Sequence, residues 1–247
     1  MFERPHHRRI AQVLYALNGP LLRDNGCLFG GGTAIALRHD EYRESVGIDF
    51  LVSDVSGYRS LRQLVTGRSG IGAIAREGAA PLAQARDVRA DQYGVRTALQ
   101  VDDEAIKFEI ILEGRIELAN PGLGDQICGV ATLTPLDMVT SKLLANSDRW
   151  ADDGVFSRDL IDLAMLNPTL TLLRQGVAKA EQAYGRSVLD DLAKAIDRLR
   201  TRQGRLERCM QAMAMDLPKA VLWQRVRALR RVLPTDAADA PQRASFG

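Results

Sequence analysis

Gly31, Gly32 and Thr33 stand together, and an acid, Asp49, follows between Ile48 and Phe50. Two glycines remove side chains where a chain turns into a helix, so the backbone amides of the first turn are open to phosphate oxygens. Thr33 adds a hydroxyl at the same place. On a strand, Asp49 points away from its two apolar neighbours. A carboxylate at a strand end beside a phosphate-binding turn is suited to hold Mg²⁺ on a triphosphate. Ser45 precedes that strand, and Glu109 sits on the polar side of a later one, beside Lys107. Taken singly, each of these has an ordinary alternative: a tight turn, a strand-end acid, a loop-capping hydroxyl.

These residues need elements to position them. Ile10, Val13, Leu14, Leu17 and Leu21 recur at helical spacing. Cys27 to Phe29 reads as a short strand, Thr33 to Arg38 as a helix and Gly47 to Val52 as a buried strand. The small-residue stretch from Gly57 to Ala90 gives no clear assignment. Tyr93 to Val101 and Ala105 to Leu112 form a hairpin around Asp102-Asp103-Glu104, with Ile106, Phe108, Ile110 and Leu112 on one face. After Asn120-Pro121-Gly122 nearly everything is helical. Thr134-Pro135 and Ser157 read as helix starts, and apolar stripes run through Val188, Leu192, Ala195 and Leu199 and through Leu222, Val226, Leu229 and Leu233. The fold class expected is α+β: a small mixed β-sheet core flanked by helices over residues 1–130, a helical domain over 131–235, and a disordered tail at 236–247.

The 247 residues are 46% apolar and 26% charged, ordinary for a globular protein with a substantial core. No stretch approaches the roughly 18 apolar residues of a membrane span. The basic N-terminus lacks an apolar run of signal-peptide length, so a cytoplasmic location is expected. Cys27, Cys128 and Cys209 are too scattered for a disulfide framework or zinc site and read as core residues. His6, His7 and His39 have no partner at ligand spacing and read as surface residues, and Arg43 reads as a surface partner of Glu41 or Glu44.

In order along the chain, Gly31-Gly32-Thr33-Ala34, Arg43-Glu44-Ser45-Val46-Gly47-Ile48-Asp49-Phe50, Lys142-Leu143-Leu144-Ala145, Arg149 and Arg158-Asp159-Leu160-Ile161-Asp162-Leu163 resemble the motifs of the bacterial AbiEii/AbiGii toxin family, a branch of the polymerase-β-type nucleotidyltransferases. The resemblance covers about residues 25 to 166. It implies metal-dependent transfer of a nucleoside monophosphate from a nucleoside triphosphate to an acceptor such as RNA or tRNA, with Mg²⁺ or Mn²⁺ as cofactor. It further implies a toxin–antitoxin or phage-defence setting with a cognate antitoxin protein as partner. The site it implies has Asp49 and Glu109 as metal ligands and Gly31, Gly32, Thr33 and Ser45 around the phosphates. Lys142 neutralises phosphate charge as a catalytic and nucleotide-binding residue, and Asp159 and Asp162, on one helical face, are candidates for a catalytic and a nucleotide-binding role respectively.

One departure stands out. The family's acid-apolar-acid triplet begins here with Gly47, so one shared metal ligand is missing unless Asp40, Glu41 or Glu44 compensates. Two readings follow: an active transferase, or a catalytically degenerate relative that binds nucleotide, RNA or a protein partner. Between Arg198 and Arg231 lie ten basic residues and only two acids, Glu207 and Asp216. Such a cluster is either an electrostatic footprint for a polyanion or a solvated helix surface.

Overall fold

A computed structural model describes residues 2–234. The helix expected at the N-terminus is broken in two. α1 (Pro5–Ala16) ends where Leu17 turns extended, and α2 (Gly19–Asp24) restarts with Asn18, whose side chain accepts a hydrogen bond from the Leu21 amide. Leu17 forms an isolated bridge with Ala75, so a tertiary contact overrides the helical periodicity there.

The chain then runs through β1 (Leu28–Gly30), α3 (Gly31–Arg38), β2 (Gly47–Val52), α4 (Val55–Thr66), β3 (Ala83–Ala90), β4 (Gly94–Val101) and β5 (Glu104–Leu112). The unassigned stretch after Gly57 therefore holds most of α4, a 3₁₀ turn and the edge strand β3. The sheet order is β1-β2-β5-β4-β3. β2 and β5 are parallel and the other pairs antiparallel, giving a mixed sheet. Its two faces follow the sequence alternation. Ile48, Phe50 and Val52 of β2 and Ile106, Phe108 and Ile110 of β5 are fully buried. The rings of Phe29, Phe50 and Phe108 stack across three strands at 5.5 and 5.7 Å. The other face carries Gly47, Asp49 and Leu51 of β2 and Lys107, Glu109 and Ile111 of β5.

A two-stranded ribbon, β6 (Gln126–Ile127) and β7 (Val130–Ala131), leads into the helices α5 (Pro135–Arg149), α6 (Arg158–Met165), α7 (Leu170–Tyr184), α8 (Ser187–Thr201), α9 (Arg205–Ala212) and α10 (Lys219–Ala228). Thr134 caps α5 as expected, its hydroxyl accepting from the Asp137 amide. Ser157 does not cap α6 with its side chain. It is left-handed, and its hydroxyl accepts from Arg205 instead. The change of element type comes near residue 130, yet one hydrophobic cluster extends from Ile10 to Leu229 through both halves. α3 packs on β1 and β2 on one side and on α5 and α6 on the other, joining the sheet to the helices.

Two expectations about single residues are corrected by packing. His7 is fully buried rather than on the surface. Cys27 and Cys209 are core residues, but Cys128 is half-buried in a left-handed turn between β6 and β7. The expected tail at 236–247 lies outside the described residues.

Candidate active site

The glycine turn sits between two acidic centres. Gly31 has φ +68°, a left-handed conformation that favours glycine, and a Cβ there would lie 2.7 Å from Asp49 Oδ2. A Cβ on Gly32 would strike the Arg43 guanidinium and come within 2.8 Å of Asp162 Oδ2. Successive backbone positions thus press on Asp49 from the sheet and Asp162 from α6. The first-turn amides of α3 have no intrahelical partner, so an anion meets a positive helix end there.

Asp49 and Glu109 are register partners on the parallel strands β2 and β5, so their carboxylates share the open face of the sheet. Gly47 and Lys107 are paired two residues earlier. Lys107 Nζ lies 2.6 Å from Glu109 Oε2, and Arg96 on β4 brings its Nε to 3.6 Å from Glu109 Oε1. Burial pushes the Asp49 carboxyl above the usual aspartate range. Lys107, Lys142 and Arg158 oppose that rise, and Glu109 adds to it. Arg158, at the first turn of α6, is exposed and forms no ion pair among the described residues.

The missing acid at 47 has no substitute nearby. Glu41 is committed to the N-terminal segment, accepting from the backbone amides of Glu3 and Arg4 and pairing with His7 Nδ1 at 2.8 Å. Neither Asp40 nor Glu44 joins Asp49 and Glu109, since no group of three or more His, Cys, Asp or Glu gathers for a metal among the described residues. One divalent ion delivered by a triphosphate fits Asp49, because such an ion needs only one or two carboxylates besides phosphate and water. A second ion held by protein carboxylates does not fit.

The expected phosphate cradle is revised. Thr33 Oγ1 donates to the Gly47 carbonyl at 2.5 Å and lies 2.7 Å from Ser45 Oγ. Both hydroxyls are buried. They fasten the start of β2 to α3 rather than face a ligand. The Ser45 amide donates to His7 Nε2 at 3.1 Å, so His7 bridges α1 and this loop. Burial lowers the His7 pKa, with Glu41 opposing that fall. The imidazole must be neutral at Nε2 to accept.

The second centre was only half anticipated. Arg43 is buried and makes a two-pronged bond to Asp162, at 2.7 Å from Nε and 3.0 Å from Nη2. It does not pair on the surface with Glu41 or Glu44. Tyr42 donates to Asp162 at 2.6 Å. Lys142 Nζ lies 2.7 Å from Asp162 and 3.0 Å from Asp159, and Arg149 makes a second two-pronged bond to Asp159. Burial alone would lower the Lys142 pKa; Asp162 and Asp159 outweigh it and hold it above the usual lysine value. Burial opposes ionisation of both aspartates too, but their cationic partners keep them below the usual range. Lys142 and Asp162 are thus enclosed in an ion-pair network, with Asp162 partnered by both Arg43 and Lys142.

Six of the ten cations in the basic segment are paired, but with only three acids. Arg198, Arg202 and Arg205 converge on Asp153; Arg200 and Arg230 hold Asp197, and Lys219 holds Glu207. Lys107, Arg96, Arg158 and Arg43 are the functional candidates that sequence reasoning passed over. Strand register with Gly47 and Asp49 was the one signal pointing to Lys107, and it required knowing that β2 and β5 are parallel neighbours.

No curated protein matches the chain. The crystal structure of JHP933 from Helicobacter pylori is 15% identical, the match covering 94% of this chain and 94% of that one with a TM-score of 0.51. That of an H. pylori protein assigned as a nucleotidyltransferase is 14% identical, covering 92% and 93%, with a TM-score of 0.49. At such identity the likeness to JHP933 speaks for the fold alone. The model of the nucleotidyl transferase AbiEii toxin family, of type IV toxin–antitoxin systems, matches residues 12–238, nearly the whole chain. The chain belongs to the AbiEii nucleotidyl transferase toxin family.

Proposed function

We propose that the cleft between the sheet's open face and α6 binds a nucleoside triphosphate and transfers its nucleoside monophosphate to an acceptor hydroxyl on RNA. The observation that carries this reading is the double contact of the glycine turn, Gly31 on Asp49 and Gly32 on Asp162. It brings an anion-binding helix start, a metal-ligating carboxylate and a rigid cationic network to one place. In the reaction an acceptor oxygen bonds to the α-phosphorus while the bond to the β,γ-diphosphate breaks, and pyrophosphate leaves. Asp49, with Glu109 beside it, would hold a Mg²⁺ or Mn²⁺ arriving on the triphosphate, and the chemistry supplied there would be neutralisation of charge on the phosphates and the leaving group. The first-turn amides of α3 receive phosphate oxygens, and Arg158 offers an unpaired cation. Lys142, Arg43 and Arg149 fix Asp159 and Asp162 and so set where α6 lies. Membership of a toxin–antitoxin family supports a toxin role for such a reaction, and an antitoxin protein and tRNA in the cytoplasm are the partners proposed.

The test is transfer of label from α-³²P nucleoside triphosphates to bulk RNA with Mg²⁺, with Asp49→Asn as control. Transfer by the wild-type chain and none by the variant supports the reading. A second reading rests on Gly47 and the Lys107–Glu109 pair: a chain that binds nucleotide and RNA without transferring. Magnesium-dependent binding of nucleoside triphosphates with no labelled RNA from any of the four would establish it.

A further inference from the structure

We propose that Lys107 does the work of a divalent cation in this site: its ammonium binds the polyphosphate of the substrate at the position that Gly47 leaves open. This rests on the reading of the cleft as a triphosphate site.

Three observations carry it. The first is register. Lys107 is the direct cross-strand partner of Gly47, as Glu109 is of Asp49, so all four positions share one face. The second is shape. A Cβ built on Gly47 would lie 3.8 Å from Lys107 Cβ and 3.9 Å from its Cδ, ordinary contact distances. The lysine stem therefore runs alongside the place where a side chain at 47 would project. The third is charge. Lys107 Nζ is 2.6 Å from Glu109 Oε2, yet the Glu109 side chain is only 11% exposed while that of Lys107 is 62% exposed. An ordinary surface pair has two wet partners and contributes little. Here a nearly enclosed carboxylate holds one end of a cation whose other side faces open solvent.

A divalent ion shared by carboxylates needs both of them free. Of the three positions that face this site, 47 lacks a carboxylate, Glu109 already carries a monovalent cation, and only Asp49 is uncommitted. Asp49 and Glu109 face Lys107, Arg96 and Arg158, and Arg96 also pairs with Asp91 at 3.2 Å, so the carboxylates of the open face are already matched by protein cations and Lys107 and Arg158 are the ones turned toward an anion. An ammonium is a compact point charge with three donors, able to bind Glu109 and a phosphate oxygen together. Glu109 then acts as the anchor that aims Lys107, with less of a role as a metal ligand.

The experiment uses the full chain and two probes that need no knowledge of the preferred base: inorganic tripolyphosphate and Mn²⁺. Tripolyphosphate binding is measured by calorimetry in EDTA, and free Mn²⁺ by electron paramagnetic resonance without nucleotide. The wild-type chain should bind tripolyphosphate in EDTA. Lys107→Ala should weaken that binding about tenfold, the loss of one charge-assisted contact, with Lys107→Arg within about threefold of wild type. The wild-type chain should leave the Mn²⁺ signal unchanged, whereas Gly47→Asp combined with Lys107→Ala should deplete it. The proposal is overturned if wild type fails to bind tripolyphosphate in EDTA, or if Lys107→Ala binds it as tightly as wild type. It is equally overturned if wild type takes up Mn²⁺ and Asp49→Asn abolishes the uptake. Lys107→Arg keeps the partner of Glu109 and should melt with the wild type, whereas Lys107→Ala leaves that enclosed carboxylate with less positive charge and should melt somewhat lower, so the binding comparison is made well below both transitions. The transfer reading fails separately, by absence of labelled RNA in Mg²⁺, whichever way the tripolyphosphate result falls.

Discussion

Lys142 and Asp162 face each other across 2.7 Å with both side chains buried. Asp162 belongs at once to Lys142, Arg43 and Tyr42, which come from α5 and from the loop before β2. The pair therefore locks helix to sheet. Removing the lysine strands two buried carboxylates, Asp159 and Asp162, with less positive charge than they need. Lys142→Ala should cost about 3–5 kcal/mol. At this chain length that lowers the melting temperature by on the order of 10 °C. Because the ammonium is enclosed, affinities for nucleoside and triphosphate should fall together. A loss confined to the triphosphate would place Lys142 on the ligand instead.

Asp49 should show the opposite balance. Burial raises its pKa, so the folded chain binds a proton more readily than the unfolded one. For an acid with a raised folded pKa, stability falls as pH rises from the ordinary aspartate value through the raised one, and remains lower at neutral pH. Asp49→Asn should therefore raise the melting temperature at pH 7, by about 2–4 °C for each kcal/mol relieved, while abolishing transfer. The gain should shrink as pH falls through the raised folded value and be gone below about 4, where the wild-type carboxyl is protonated in both states. A variant no more stable than wild type at pH 7 would show that Asp49 carries no burial strain.

The acid limb of stability belongs to α6. Asp159 and Asp162 have folded pKa values below the usual range, so their contribution is complete above the unfolded value of about 3.9 and disappears as pH falls toward the folded values. Urea midpoints should hold down to about pH 4 and then drop. Asp159→Asn should be less stable at pH 7 and show a flatter acid limb. An equally steep limb in the variant would assign acid unfolding elsewhere.

Much of this was legible beforehand, for identifiable reasons. β2 and β5 carry β-branched or aromatic residues at every second position, so local pattern and tertiary burial agree on Ile48, Phe50, Phe108 and Ile110, although Glu109 between the last two is buried as well. Gly31, Gly32 and Asp49 share one motif whose spacing reflects a single strand–turn–helix–strand unit. What failed was pairing between distant segments. The partner of Arg43 is 119 residues away, and nothing local distinguishes an arginine bound to Asp162 from one on the surface. His7 was misplaced because its partners, Glu41 and the Ser45 amide, arrive only when α1 packs beside the β2 loop. Lys142 was read as a ligand cation because its motif matches; its saturation by two aspartates depends on how α5 and α6 cross.

The two glycines should differ in how they fail. Gly31→Ala combines an unfavourable left-handed backbone with a clash against Asp49, whereas Gly32→Ala has no backbone penalty but drives into the Arg43–Asp162 bond. Both should lower stability by more than about 1 kcal/mol. Only the Gly32 variant should be relieved by a second change that shortens the arginine, Arg43→Ala. Double-mutant cycles check this: additive losses for Gly32→Ala and Arg43→Ala would mean that the two do not meet.

RNA binding, if it uses the C-terminal helices, must use the cations that internal acids leave free. Arg198, Arg202 and Arg205 are held by Asp153, whose pKa is lowered to about 2 by Arg198 foremost and by Arg205. They brace the loop before α6. Arg208 on α9 and Arg227 on α10 are exposed and make no ion pair among the described residues. Each phosphate neutralised on a single strand changes the slope of log affinity against log salt by about 0.7. Replacing Arg208 and Arg227 together by glutamine should flatten that slope by about 1.4 and leave the melting temperature unchanged. Replacing Arg198 and Arg202 should do the reverse, lowering the melting temperature with less effect on the slope. Filter binding of bulk tRNA across a salt series measures both. A slope unaltered by Arg208→Gln and Arg227→Gln would remove these helices from the RNA surface and leave the sheet's open face to bind the acceptor.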